Sequence, residues 1–362
     1  MNEQEVYDVT IIGGGPAGLY STFYSGLREM KTKIIDFQPR LGGKIQVYPE
    51  KMIWDVGGLT PIPGARLMEQ LIEQAMTFSP EVVLNEKIDS IVKVDDVFEL
   101  IAASGRKHYS KTVITAVGSG ILKPKKLQIE GAERFEVSNI HYTVQSLKRF
   151  KDKIIVISGG GDTAIDWANE LVPIAKQVYL TYRKDSMSGH EAQVSQLLSS
   201  SAICLPQTSI TRLIASDTHE KIERVELTCQ DSSEVLMLEV DDVIISHGYE
   251  QDSSLLKNSE LEIEMVDDFY IAGDAMSRSS VPGLFAAGDI LKHSGKLWLI
   301  AGAFQDAANA VNSAKQFIEP GANKVAMVSS HNEVFSERNR KLLKKMMNTP
   351  SSEASAAEGI RV

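Results

Sequence analysis

Two passages of the chain share one hydrophobic pattern. Residues 6–12, VYDVTII, form a mostly apolar run of strand length, followed by the turn GGGPAG and by LYSTFYSGL, which reads as a helix. Residues 154–172, IIVISGGGDTAIDWANELV, repeat this order of strand, glycine turn and helix. Each passage leads into a further strand, KTKIIDF at 31–37 and QVYLTYRKDS at 177–186. This is the opening of a βαβ unit, made twice. Two more strands, in KTVITAVGSG (111–120) and DVIISHGY (242–249), end in turns of small residues. They read as the chain crossing out of one nucleotide-binding domain and back. VPGLFAAGDILKHSG (281–295) adds a strand, and 295–318 a helix with Ala301, Gly302, Ala307 and Ala308 on one face. The pattern predicts an α/β fold with two Rossmann-like dinucleotide-binding domains. The first comprises residues 1–118 and 248–335, the second residues 119–247, and an extension follows at 336–362.

The two turns differ in the chemistry that follows them. In the first, Gly13 permits the sharp turn, Gly15 lets backbone approach a pyrophosphate, and Gly18 lets helix and strand pack closely. Pro16 and Ala17 lie inside the turn, at a helix N-terminus that attracts phosphate. The next strand ends in Asp36, an acceptor for ribose hydroxyls that repels a 2′-phosphate, so FAD or NAD fits better than NADP. A glycine-rich turn with no ligand is the alternative. RLGGKIQVYPEK (40–51), with Gly43 and Tyr48, suits a loop laid over a flat ring, Tyr48 being either a stacking residue or an ordinary half-buried tyrosine. The second turn carries Gly159, Gly161, Asp162, Thr163 and Ala164. Its following strand ends in Tyr182, Arg183 and Lys184, cations that suit the 2′-phosphate of NADPH unless they are merely a solvated strand end. Opposite ribose chemistries on one chain imply a resident FAD fed by a visiting NADPH. Asp289 follows the strand in 281–295 and suits ribityl hydroxyls or the pyrophosphate region. The helix after it would aim its N-terminus at the pyrimidine end of the flavin.

Composition narrows the class. With 362 residues, 43% of them apolar and 24% charged, the chain has the make-up of a soluble protein of two or three domains. A net charge of −10 argues against nucleic acid as the main partner. Cys204 and Cys229 fit a reducing cytoplasm and make neither a CxxC pair nor a zinc site. The seven histidines are scattered, so no metal centre is expected; His141, His190 and His247 are taken as structural or nicotinamide-side residues. No apolar run approaches the ~20 residues of a membrane span, and no signal peptide pattern is present.

The motifs GGGPAG with Asp36, TAVG, GGGDTA with YRKD, and FAAGD stand in the order of the flavoproteins related to thioredoxin reductase, which the chain resembles over residues 8–318. The region 131–147, before the second turn, lacks the CxxC of thioredoxin reductases. Ala17 stands where bacillithiol-disulfide reductases carry a cysteine. QVYPEKMIWDVGG, HYSKTVITAVG, LKPKKL and GKLWLIAGAFQDAANAVNSAK instead look like the thioredoxin-reductase-like ferredoxin–NADP reductases. That resemblance implies a homodimeric enzyme passing electrons from NADPH through FAD to ferredoxin or flavodoxin. It also implies FAD contacts at Asp36, Lys44, Tyr48, Ile88, Leu122, Asp289 and Ser330, with Tyr48 stacked on the ring. His190 is assigned to the NADPH side. Lys44 stands where glutamine is usual and Ser188 where arginine is usual; His331 or Val328 falls where the second flavin face is covered. Because ferredoxins are usually acidic, the candidate docking elements are ERNRKLLKKMM (337–347), a short amphipathic helix that otherwise reads as a solvated cap on the subunit or its dimer mate, and Lys123, Lys125 and Lys126. Beyond Asn348 the composition is that of a disordered tail. The rival readings are an NADPH-dependent quinone, flavin or small-disulfide reductase, and a non-enzymatic flavin redox sensor.

Overall fold

A computed structural model describes residues 5–118, 123–327 and 332–348. Strand β1 (Val6–Ile12) runs into helix α1 (Pro16–Leu27), which returns to strand β2 (Thr32–Ile35). Helix α2 (Gly64–Ala75) leads to β3 (Glu81–Val83), and a meander of β4 (Ile88–Val94), β5 (Val97–Ala102) and β6 (Lys107–Thr115) follows. The order β3-β2-β1-β6 is parallel, and Ile11 pairs with Ile34 on one side and Ile114 on the other. Strand β2 and the second half of β1 are buried on both faces, which explains their continuous apolar runs.

The second sheet is built from β7 (Ile140–His141), β8 (Ile154–Ser158), helix α3 (Asp162–Leu171), β9 (Gln177–Thr181), helix α4 (Glu191–Leu198) and β10 (Ile203–Leu205). An antiparallel layer of β11 (Thr208–Ala215), β12 (Ile222–Cys229) and β13 (Val235–Glu239) precedes the fifth strand, β14 (Asp242–Ile245). The parallel order is β10-β9-β8-β14-β7. Ile155, Ile157, Val178, Leu180 and Trp167 form its core.

The chain then returns to the first sheet. Strand β15 (Leu284–Ala286) pairs with Val113–Thr115 of β6, while the earlier half of β6 pairs with β5. One strand edge is thus shared end to end by two partners. Helix α5 (Ile300–Ile318) packs Ala307, Ala310, Val311 and Ala314 into the β1 core. Ala301 and Ala308, expected on that face, are only partly buried, because residues 303, 307, 310 and 314 recur at the helical period and 308 lies a further ~100° round. The C-terminal helix α6 (Ser336–Asn348) forms as its periodicity predicts and leaves Leu342, Leu343 and Met347 exposed. Among the described residues no helix is long and apolar enough to cross a membrane, and no cluster of metal-ligating side chains occurs. Leu122, Val328, Ser330, His331 and the tail from residue 349 lie outside the described residues.

The crossings between the sheets run side by side. The Lys125 N–H donates to the Gly248 carbonyl at 2.9 Å, and that of Glu250 to Lys123 at 2.8 Å, around an antiparallel bridge of Pro124 with Tyr249.

A buried charge group lies in the first sheet, away from the glycine turns. His108 on β6 is 2% exposed; its Nδ1 lies 3.5 Å from Lys33 Nζ, and Lys33 is paired with Glu81. Burial, with the cations Lys33 and Arg106 beside it, lowers the imidazole from 6.5 to about 4. The unfolded chain therefore takes up this proton first as pH falls. Stability present at pH 7 is lost between the unfolded value of 6.5 and the folded value of about 4, on the order of 2–3 kcal/mol. Denaturant titrations at pH 7 and pH 4.5 should show this loss, and a smaller one in His108→Gln.

Candidate active site

The first cavity, about 520 Å³, opens at the carboxyl ends of β1, β2 and β6. Gly13 has φ +107, and a Cβ there would lie 2.4 Å from the Ala116 oxygen; a Cβ on Gly18 would lie 1.8 Å from the Gly13 oxygen. The protein's own packing requires those two glycines, and Gly18 stands behind the turn rather than in the cavity wall. Gly15 is different. Its φ is −77, and the nearest atom to its Cβ would be Gly43 Cα at 3.7 Å. Nothing in the chain excludes a side chain there, so the need for glycine comes from whatever the cavity holds. Helix α1 begins at this point with no side-chain cap, the arrangement that suits a pyrophosphate.

Asp36 lies just past the end of β2. Its Oδ1 accepts the Gln38 N–H at 2.7 Å and its Oδ2 that of Gly14, which aims the carboxylate into the cavity. Burial raises its pKa, against the pull of those two donors. Pro16, Ala17, Gly43, Lys44 and Ile88 also line the cavity, Lys44 from an exposed position. Tyr48 borders it as well, its hydroxyl pushed up to about 12 by burial and by the charges of Asp289 and Asp55. The phenol is thus neutral at physiological pH. Asp289 projects from a turn clamped from behind. Gly288 N–H donates to Asp306 Oδ2 at 3.1 Å, Lys296 Nζ donates to the Gly288 carbonyl at 2.8 Å, and Lys296 and Asp306 form a buried ion pair. These features fit a flavin dinucleotide: an uncapped helix for phosphates, a carboxylate for ribose hydroxyls and a neutral ring for a flat cofactor.

The second cavity, about 900 Å³, repeats the arrangement at α3. A Cβ on Gly161 would meet nothing nearer than Ser188 Oγ at 4.0 Å, the same freedom as at Gly15. Gly159, Asp162, Thr163 and Ala164 line the cavity at the turn, and Arg183 and Lys184 line it as well. Both cations are exposed, and among the described residues neither has an ion-pair partner. Ser188 hydrogen-bonds the glycine turn through its backbone, N–H to the Gly160 carbonyl at 2.8 Å. His190 lines neither cavity; its backbone N–H donates to Asp162 Oδ1 at 3.1 Å. Of the lysines expected to dock a partner, Lys125 and Lys126 line this cavity instead, while Lys123 and Lys126 are paired with Glu250 and Glu136.

The two cavities meet. Thr163 and Tyr249 line both, and Thr143, Asp166 and Trp167 reach from the second unit into the wall of the first. Lys51 is ion-paired with Asp166 across the junction, and Glu50 Oε2 accepts the Leu147 N–H at 2.8 Å. Apart from Thr163, which belongs to the second glycine turn, the sequence pattern does not single out these residues for the site, because the orientation of one unit against the other carries no short-range signal. Neither Cys204 nor Cys229 lines either cavity, and both are free thiols.

The family model described as pyridine nucleotide-disulphide oxidoreductase matches residues 7–314. The chain belongs to that family. It is an oxidoreductase with the family's two dinucleotide-binding units, and its flavin and pyridine-nucleotide chemistry follows from membership. Ferredoxin–NADP reductase 1 of Bacillus mycoides is 69% identical over 348 residues, covering 96% of this chain and all of that protein. The Bacillus cereus protein of the same name is 70% identical over the same span, covering 96% of this chain and all of that protein. Among solved structures, thioredoxin reductase of T. acidophilum superposes with a TM-score of 0.74 at 24% identity, covering 86% of this chain and 99% of that one. At that identity the likeness concerns the fold, which is the α/β, two-Rossmann fold of the thioredoxin reductase type expected from the glycine turns.

Proposed function

We propose that this chain is a ferredoxin–NADP reductase that binds FAD in the first cavity, takes reducing equivalents from NADPH in the second, and delivers them to ferredoxin or flavodoxin. The observation that carries this reading is the contact of the two cavities at Thr163 and Tyr249 with no cysteine between them. A dithiol relay has no place there, so electrons leave directly from the flavin. FAD, when bound, supplies the redox chemistry by accepting two electrons and releasing them to a carrier. The chain's residues bind, orient and shield. The uncapped starts of α1 and α3 hold phosphates, Asp36 holds a ribose, and Arg183 with Lys184 selects the phosphorylated nucleotide. Tyr48 presents a neutral ring. In this reading the enzyme works in the cytoplasm as a homodimer, which sedimentation of the purified protein checks. Anaerobic mixing tests the function: NADPH should bleach the flavin absorbance and ferredoxin should restore it. No bleaching, or restoration by quinone but never by ferredoxin or flavodoxin, refutes the proposal.

Lys123 and Lys126 are paired, as is Lys341 of α6 with Glu337 at 2.8 Å, so the docking charge of α6 rests on Arg340 and Lys344 beside its apolar strip. Its Arg340, Lys341 and Lys344 are exposed around an apolar strip of Leu342, Leu343 and Met347. Arg340→Glu with Lys344→Glu should slow ferredoxin reduction roughly tenfold at low ionic strength, and less at high salt. Bleaching by NADPH should be unchanged in that variant. An unaltered ferredoxin rate removes α6 from the docking surface.

A further inference from the structure

Thr163 and Tyr249 are the two side chains common to both cavities among the described residues. Thr163 is the second residue of α3, so it follows the glycine turn. Tyr249 sits on the returning crossing, where its backbone is fixed. It bridges Pro124, and its neighbours Gly248 and Glu250 hydrogen-bond the outgoing crossing at 2.9 and 2.8 Å. The phenol is partly buried and burial raises its pKa, so it is uncharged. Tyr48 and Tyr249 both line the first cavity.

The groups that line the second cavity match the groups of NADPH. Arg183, Lys184, the glycine turn and the start of α3 line the second cavity, and Thr163 with Tyr249 line it and the first cavity as well. A nucleotide with its 2′-phosphate on the cations and its pyrophosphate on the turn has only its nicotinamide riboside left to meet the two residues shared with the first cavity. We propose that Tyr249 is a positioning residue for the nicotinamide ring, its fixed aromatic face meeting the ring as it enters the flavin cavity, with Thr163 beside the riboside. This rests on the second cavity being the NADPH site. Aromatic contact of this kind has a modest effect on affinity and a larger one on rate, because orientation of the reacting ring governs transfer.

The test uses flavin-loaded protein and two probes measured by calorimetry: NADP+, which carries the nicotinamide, and 2′,5′-ADP, which lacks it. Tyr249→Ala should weaken NADP+ about fivefold and leave 2′,5′-ADP unchanged. Bleaching by NADPH should slow at least about tenfold at saturating nucleotide. Tyr249→Phe should behave as the wild type in all three measurements. The inference is overturned if Tyr249→Ala binds NADP+ and bleaches normally. It is also overturned if that variant loses both probes equally, which marks a general disturbance, or if Tyr249→Phe fails like Tyr249→Ala, which assigns the effect to the hydroxyl. Wild-type protein that binds neither probe overturns the NADPH reading itself, and this inference with it.

Discussion

Gly15→Ala should yield a folded protein that is purified colourless. Two glycines of one turn then separate by role. At Gly13 an added methyl collides with the Ala116 oxygen at 2.4 Å, and φ of +107 strains any side chain, so Gly13→Ala should lower the melting temperature of the flavin-free protein. At Gly15 the backbone is ordinary and the nearest atom to a Cβ is 3.7 Å away, so the flavin-free protein should melt as the wild type does. The methyl stands instead where phosphate oxygens must approach the start of α1. Overpacking of about 1–3 kcal/mol, with loss of helix-terminal hydrogen bonds, weakens FAD by about 100-fold or more. Absorbance of the purified protein and flavin titration measure this. A yellow Gly15→Ala protein with normal FAD affinity would refute placement of the pyrophosphate at this turn.

The second large effect concerns Arg183 and Lys184. Both are exposed, and neither has an ion-pair partner among the described residues, so replacing them removes no structural contact of that kind. Each charge-assisted bond to a 2′-phosphate contributes about 1.5–3 kcal/mol. Arg183→Ala with Lys184→Ala should therefore lower kcat/KM for NADPH by about 100-fold or more, while that for NADH changes little. The ratio of the two constants is the readout. An equal fall for both nucleotides would mean that these cations serve the pyrophosphate or the fold rather than nucleotide choice.

How far the sequence reached depended on the range of the interaction. The strand–turn–helix units were legible because each glycine, and the acid or base that follows it, acts within some 25 residues of its own βαβ unit. Asp36 and Arg183 border cavities for that reason. Tyr249, Asp166 and Trp167 were not singled out, since their presence at the first cavity depends on how α3 faces it across two crossings. By sequence alone the lysines at 123–126 form one basic patch. The fold pairs Lys123 with Glu250 and Lys126 with Glu136, partners far along the chain or on another turn, and so removes much of that charge. His190 suits the nucleotide side by residue type alone; in the fold it stands at the N-cap of α4 with its backbone N–H donating to Asp162.

The divided pairing of β6 bears on the order in which a ribosome releases this chain. The parallel sheet of the inserted unit has emerged complete once β14 is out, while the edge at Val113–Thr115 still waits for Leu284–Ala286. A nascent chain halted before residue 284 therefore presents an unpaired, apolar strand edge beside a finished neighbour. That edge is a template for intermolecular pairing, so truncated products of this protein should be aggregation-prone and dependent on chaperone shielding.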